Sequence, residues 1–282
     1  GARQLNSISP VMIERVEVIS GASSIYGAGA TGGLINIITR NADDETTDFS
    51  SRIGLRSAEH AARDAMAYEA SQTAAFHQAD VSGFVGLSYT KQGEIQDVHG
   101  DRVGPEIAQT DRQDTTNVDF NGRLTWHMDD DQQLSAGLRY FDDEQDSDYG
   151  PDYGPGLAAL FKPATFEPSL KGIKGLQLDE QPRTRHAGAN VQYLNSDLLG
   201  GQKLTAEAYY RKEQSRWFPS VSAAVHPSLP GGFTYVALQS NTDIDVWGVR
   251  TALQKGFELA GRDLQLTYGL DYEREQDSQS GQ

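Results

Sequence analysis

From about residue 48 onward, apolar and polar positions alternate one for one. In LQLTYGLDYE, Leu264, Leu266, Tyr268, Leu270 and Tyr272 share one face of an extended chain, and Gln265, Thr267, Gly269, Asp271 and Glu273 share the other. VDFNGRLTW repeats the pattern, with Val118, Phe120, Leu124 and Trp126 opposite Asp119, Asn121, Arg123 and Thr125. So do VSGFVGLSY, LSAGLRY, AGANVQY and LTAEAYY, and weaker copies sit at Phe49 to Leu55, Tyr68 to Phe76 and Trp247 to Leu253. A period of two predicts strands, about nine of them, each with one apolar and one polar face.

The connections discriminate between architectures. Short links (HQAD, MDDDQQ, NSDLLGGQK, ELAGRD) alternate with long ones, the longest running from Asp142 to Gln181. A soluble sandwich has no reason for that alternation, whereas an outer-membrane barrel has short periplasmic turns and long extracellular loops. With the first strand running outward, Tyr89, Tyr140, Tyr210, Trp247 and Tyr272 fall at outer ends, and Trp126, Tyr193 and Phe257 at inner ends. Two aromatic girdles result, as two membrane interfaces require. The fold class expected is therefore all-β, a partial transmembrane antiparallel up-and-down β-barrel of about nine strands. Glycines recur on the polar face (Gly54, Gly86, Gly137, Gly188, Gly269), either to bend strands or to leave room for something folded inside.

The first forty residues differ. Gly27, Gly29 and Gly32 form a literal G-x-G-x-x-G. A dinucleotide turn needs a helix opened by the last glycine and an acidic residue about 20 positions on. Here the glycines lead into Leu34, Ile35, Ile37 and Ile38, a short branched run that reads as a strand, so they are expected to link two strands.

Composition excludes several classes. With 24 Lys and Arg against 40 Asp and Glu, the net charge is −16, which argues against a nucleic-acid binder. There is no cysteine, which removes disulfides and thiolate metal sites. No apolar run reaches the 18 or so residues of a membrane helix, which leaves a barrel open. The chain begins at Gly1, without Met or a signal-peptide pattern, and reads as a piece of something longer. No Ser-His-Asp set or H-E-x-x-H occurs, so no enzyme and no catalytic residue is expected. His77, His127 and His186 sit at strand ends, where a surface role is expected rather than ligation of a metal.

Residues 12 to 41, MIERVEVISGASSIYGAGATGGLINIITRN, resemble the end of the plug domain of TonB-dependent outer-membrane receptors, followed at once by barrel strands. The matching elements are the strand Glu14 to Val18, the S-x-x-Y-G of Ser23 to Gly27, and the G-x-I-N-I-x-T of Gly33 to Thr39. Where that family commonly has Arg-Gly-Pro this chain has Ser20, Gly21 and Ala22, and ISGASSIYG resembles the branch of ferric aerobactin and related citrate-hydroxamate receptors. The resemblance implies residues 1–42 as the C-terminal part of a plug and 43–282 as the N-terminal part of a barrel. It implies import of a ferric siderophore with energy from TonB, in the outer membrane of a Gram-negative bacterium, among lipid and lipopolysaccharide. No cofactor is implied, since iron arrives already chelated. A signal peptide, the TonB-engaging box, most of the plug and the later strands would lie outside this chain. A porin or adhesin barrel, or a soluble secreted β-protein binding carbohydrate, are the alternatives.

An anionic ferric siderophore calls for cationic and aromatic groups. The segment from Asp142 to Gln181 holds nine acids against three lysines and reads better as facing lipopolysaccharide through divalent cations. The expected ligand groups are Arg183, Arg185, Arg211, Arg216 and Trp217, with Tyr149 and Tyr153 adding aromatic contact. Loss of the family's arginine leaves Glu14, Arg15 and Glu17 as the plug's charged contacts, and at least one of Arg123, Arg139 and Arg250 on the polar barrel face is expected to pair with Glu14 or Glu17.

Overall fold

The structure, a computed structural model, describes residues 8–21, 32–40, 47–57, 63–105, 112–151, 172–225, 228, 233–259 and 261–281. Fifteen strands follow in chain order. β1 (Ile13–Ser20) and β2 (Gly33–Thr39) come first. Then come β3 (Asp48–Arg56), β4 (Ala67–Gln78), β5 (Val81–Gln92), β6 (Thr115–His127) and β7 (Gln132–Gln145). After the short β8 (Tyr149–Pro151) and β9 (Gly172–Lys174) run β10 (Arg183–Leu198) and β11 (Gln202–Arg216). The last are β12 (Ser220–Val225), β13 (Phe233–Leu238), β14 (Ser240–Leu259) and β15 (Arg262–Gly281).

β1 and β2 pair only with each other, antiparallel, so the chain after the glycines is a strand and the nucleotide reading fails. Gly27 and Gly29 themselves lie outside the described residues. β3, β4, β5, β6, β7, β10, β11, β14 and β15 form one nine-stranded antiparallel meander with β3 and β15 at its edges. These are the nine strands of the alternating pattern.

The turns at one end are tight. Asp129 Oδ1 accepts from the N–H groups of Asp131 and Gln132 between β6 and β7. Leu199, Gly200 and Gly201 all take positive φ between β10 and β11, which two glycines make cheap. At the other end the connections carry structure that the alternation does not announce. β8 pairs with β9, and β12 with β13, as separate hairpins. The barrel strands also run further out than the apolar alternation does, so Arg211 and Arg216 lie on β11 and not in a loop.

Burial is inverted relative to a soluble protein. Val85, Leu87, Leu124, Leu138, Val249 and Leu270 are exposed, while Ser82, Ser88, Asn117, Asp119, Asn121 and Thr125 on the opposite face are buried. That is the arrangement hydrocarbon demands on one side and a polar interior on the other.

The outer aromatic belt measures the tilt of the strands. The hydrogen-bonded row through Tyr89 passes Val118, Asp142, Arg185, Gln214, Asp243 and Ser278. Tyr140 lies two residues below this row on β7, Tyr210 and Trp247 four below on β11 and β14, and Tyr272 six below on β15. The belt drops about one residue, roughly 3.3 Å, for each strand spacing of roughly 4.8 Å. A belt level with the membrane then inclines the strands by about 35°, within the range for membrane barrels.

In the full-length protein, Val85→Arg on the lipid face should lower unfolding stability by about 2–4 kcal/mol, read from urea titration of the heat-modifiable band. Thr205→Lys, at similar depth on the lumen face, should change it by less than about 0.5 kcal/mol.

Candidate functional site

Among the described residues, the plug segment meets the wall at Ser9, through its N–H and its hydroxyl, and at Met12. The Ser9 N–H donates to Asp119 Oδ2 at 2.5 Å, and its hydroxyl lies 3.3 Å from the Ser88 hydroxyl. The Pro10–Met12 3-10 turn then seats Met12, fully buried, against Gly86 of β5, where any side chain would collide with the Met12 sulfur. Gly86 thus makes room for the plug. At Gly137 the space is filled instead by Asn190 of the adjoining wall strand. Arg139 Nη2 stands 3.8 Å from the other oxygen of the wholly buried Asp119.

The expected pairing of Glu14 or Glu17 with a barrel arginine takes a different form. Arg15 pairs with Glu14 and, at 2.9 Å, with Glu17, which also accepts from Asn36 at 3.2 Å. The Arg15 hydrogen bond, then that from Asn36, hold the exposed Glu17 carboxyl below its ordinary value. The three charged residues therefore answer one another within the β1–β2 hairpin. On the wall, Arg123 Nη2 donates to Gln192 at 3.4 Å. Arg250 lies 3.4 Å from Asp271 and over the Tyr209 ring, whose hydroxyl donates to Glu273 at 2.6 Å.

The lumen face at the outer end also carries Arg211, 3.9 Å from Glu213, and His186, paired across β10 and β11 with Glu213. Arg183, Arg185 and Arg216 do not join them. Strand register puts them on the face of Val191, Tyr193 and Tyr210, which is the outer wall, because each is an even number of residues from those side chains.

There, on the part of β7 that rises clear of the belt, Asp142 accepts two bonds from Arg183, at 2.7 and 2.5 Å, and two from Arg185, at 3.4 and 3.2 Å. Burial opposes ionisation of Asp142, but the Arg183 fork, the Tyr140 hydroxyl and the Arg185 charge outweigh it and lower its pKa.

The outer connections are tied into a platform. Buried Gln113 accepts from the Ile95 N–H at 2.9 Å and donates to the Val103 carbonyl at 3.2 Å. Gln145 donates to the Gln113 carbonyl at 2.9 Å, and Gln181 donates to the Ser147 carbonyl at 3.0 Å. Arg102, bonded to Asp114 at 2.5 Å, places its guanidinium 4.0 Å from the centre of the Tyr149 ring. Tyr149 is therefore part of this platform, and the Trp217 N–H donates to the Ser240 carbonyl at 2.9 Å. Tyr153 lies outside the described residues. Sequence reasoning passed over Ser9, Met12, Asp119, Gln113 and Arg102. The signal for Asp119 was a carboxylate at mid-strand between apolar neighbours.

Asp119→Ala in the full-length receptor leaves the Ser9 N–H without its acceptor. It should loosen the seating of the plug by about 2 kcal/mol, seen as faster protease nicking before Ile13. Glu14→Ala should nick at the wild-type rate.

Residues 1–34 match the TonB-dependent Receptor Plug Domain. The chain is 34% identical to the rhizobactin receptor of Rhizobium meliloti over 272 residues, covering 96% of this chain and 35% of that protein. It is 33% identical to the ferric aerobactin receptor of Klebsiella pneumoniae over 275 residues, covering 97% of this chain and 35% of that protein. The chain thus spans about a third of the length of the curated relatives it matches. Among solved structures, the siderophore receptor PirA from Acinetobacter baumannii superposes with a TM-score of 0.65 at 18% identity, over 96% of this chain and 36% of that one. A ferric enterobactin receptor mutant from Pseudomonas aeruginosa, in complex with enterobactin, gives a TM-score of 0.63 at 18% identity, over 96% of this chain and 37% of that one. With a plug hairpin leading into a lipid-facing antiparallel wall, the chain belongs to the TonB-dependent receptors of the Gram-negative outer membrane.

Proposed function

We propose that the whole receptor binds an anionic ferric siderophore of the citrate-hydroxamate type and imports it with energy supplied through TonB. The observation that carries this reading is the similarity, over nearly all of this chain, to receptors named for rhizobactin and ferric aerobactin. The lumen wall supports it chemically. Arg211, Arg250 and Tyr209 face inward near the outer belt, and a bound anion would find guanidinium donors there. The iron arrives as cargo inside its chelate, and the protein's part is to bind and to open a path.

We assign residues 1–42 to the plug and 43–282 to the barrel wall. The separation of the β1–β2 sheet, which ends at Thr39, from the meander that starts at Asp48 supports that division. In this reading TonB pulls on plug residues that precede Ser9, and the Ser9–Asp119 contact resists the pull at the wall.

Replacing both Arg211 and Arg250 by Ala should weaken ferric aerobactin binding to the full-length receptor by about tenfold to a hundredfold, measured by tryptophan quenching. Uptake of radiolabelled iron should stop in cells lacking TonB while binding persists. Wild-type affinity in the double variant would remove these residues from the ligand site.

A further inference from the structure

A cavity of about 370 Å³ separates the plug residues from the first two strands of the wall. Pro10, Val11 and Arg40 line its plug side, and Ser50, Arg52, Ser71 and Thr73 of β3 and β4 line the other. Strand register puts these four wall residues on the lumen face: Ser50 pairs with Thr73, which pairs with Gly86, and Arg52 pairs with Ser71, which pairs with Ser88. The row through Arg52, Ser71 and Ser88 continues to Asp119. Arg52 therefore stands three strand spacings, roughly 14 Å, from the acceptor of the Ser9 N–H. The row runs one residue to the periplasmic side of the row through Tyr89, inside the lumen.

The lining is cationic and hydroxylic. In a chain of net charge −16 no acid is among these residues. Arg139, Arg211 and Arg250, elsewhere on the lumen face, each stand beside a carboxylate. Among the described residues neither Arg40 nor Arg52 has one: Arg40 directs Nε to the Ile13 carbonyl at 3.4 Å, and the Arg52 guanidinium is not engaged. Glu69, two residues from Ser71 on the same face of β4, pairs with neither. The hydroxyls of Ser50, Ser71 and the buried Thr73 likewise have no partner among the described residues. Guanidinium forks and hydroxyl donors converging on one space are what an oxyanion requires. The two arginines also belong to different bodies. The Arg40 N–H donates to the Met12 carbonyl at 2.9 Å, which ties Arg40 to the turn that follows Ser9, whereas Arg52 is part of the wall.

We infer that this cavity is a transit subsite, in which Arg40 and Arg52 hold a carboxylate of the anionic ferric chelate as it passes between plug and wall. The inference rests on the reading of the whole protein as an importer of such a chelate, and the subsite is separate from Arg211 and Arg250. The two guanidinium groups take the carboxylate from opposite sides, and the hydroxyls of Ser50, Ser71 and Thr73 donate to its oxygens. The hold lasts only while plug and wall are together. A pull that unseats Ser9 carries Arg40 away with Met12 and leaves the anion to Arg52 alone, so the movement that opens the path also loosens the passenger.

The test uses the full-length receptor in two arms. In the first, free citrate is titrated calorimetrically at low ionic strength into receptor carrying Arg211→Ala and Arg250→Ala, which removes the outer lumen arginines. One citrate site should remain, and adding Arg52→Gln should weaken it at least tenfold while Arg52→Lys weakens it less than threefold. In the second, Arg52→Gln alone should slow TonB-driven uptake from saturating ferric aerobactin at least fivefold, with ferric aerobactin affinity and the rate of protease nicking before Ile13 both at wild-type values. Absence of the citrate site, or a site indifferent to Arg52→Gln, overturns the inference, as does wild-type uptake by that variant. Slow uptake with faster nicking overturns it too, because Arg52 would then only be holding the plug, and a loss of ferric aerobactin affinity would assign Arg52 to the outer ligand site. Failure of the wild type to bind ferric aerobactin would instead remove the proposed ligand, and the citrate titration would still decide the cavity.

Discussion

Hydrocarbon offers no hydrogen-bond partner, and the rest of this structure follows from that. Each backbone N–H and C=O at membrane depth must find its partner on a neighbouring strand, so the wall is a continuous antiparallel ladder with every second side chain forced outward into lipid. The same constraint pushes the polar half of each strand inward. There Asp119, Asn121, Thr125 and Ser135 are buried, among other polar side chains, where a soluble protein would bury leucine and valine. Thr125 and Ser135 show the consequence in one contact, their hydroxyls bonding across β6 and β7 at 2.9 Å.

The belt aromatics convert this chemistry into geometry. A ring with one apolar and one polar edge prefers the interface. A line of such rings therefore marks a level plane even though the hydrogen-bonded rows cross it obliquely. The descent from Tyr89 through Tyr140 and Tyr210 to Tyr272 fixes how far the strands lean, and hence which residues clear the membrane. Arg183, Asp142 and Arg216 lie beyond the belt on the outer face, where long charged side chains can occupy a position that would be costly a few residues lower.

The wall was largely legible in the sequence because period two is a direct record of one face in lipid and one in a polar interior. VDFNGRLTW and LQLTYGLDYE each specify their strand without help from any neighbour. What was misread was how far the strands continue. Arg183 is eight residues from Val191, an even step, so its outward direction was already written in the chain. Beyond the belt both faces are polar, the alternation fades, and the ladder continues regardless. The β8–β9 and β12–β13 hairpins, in the connections between wall strands, also went unread.

The plug contact was not legible, because it depends on which chain segment meets which wall. Its chemistry explains why the charged hairpin residues do not make it. Glu14, Arg15 and Glu17 are adjacent on an exposed strand and satisfy one another at little cost in ordering. A wall arginine would have to compete with that arrangement. The Ser9 N–H has no such local alternative, and the buried carboxylate of Asp119 needs a donor. A backbone group seated on a side-chain acceptor, with Met12 filling the space that Gly86 leaves, holds the chain at one defined residue. Such an anchor resists displacement of Ser9 itself while leaving the segment before it free of this particular tie, so a pull from the N-terminal side would load this point before it reached the β1–β2 hairpin.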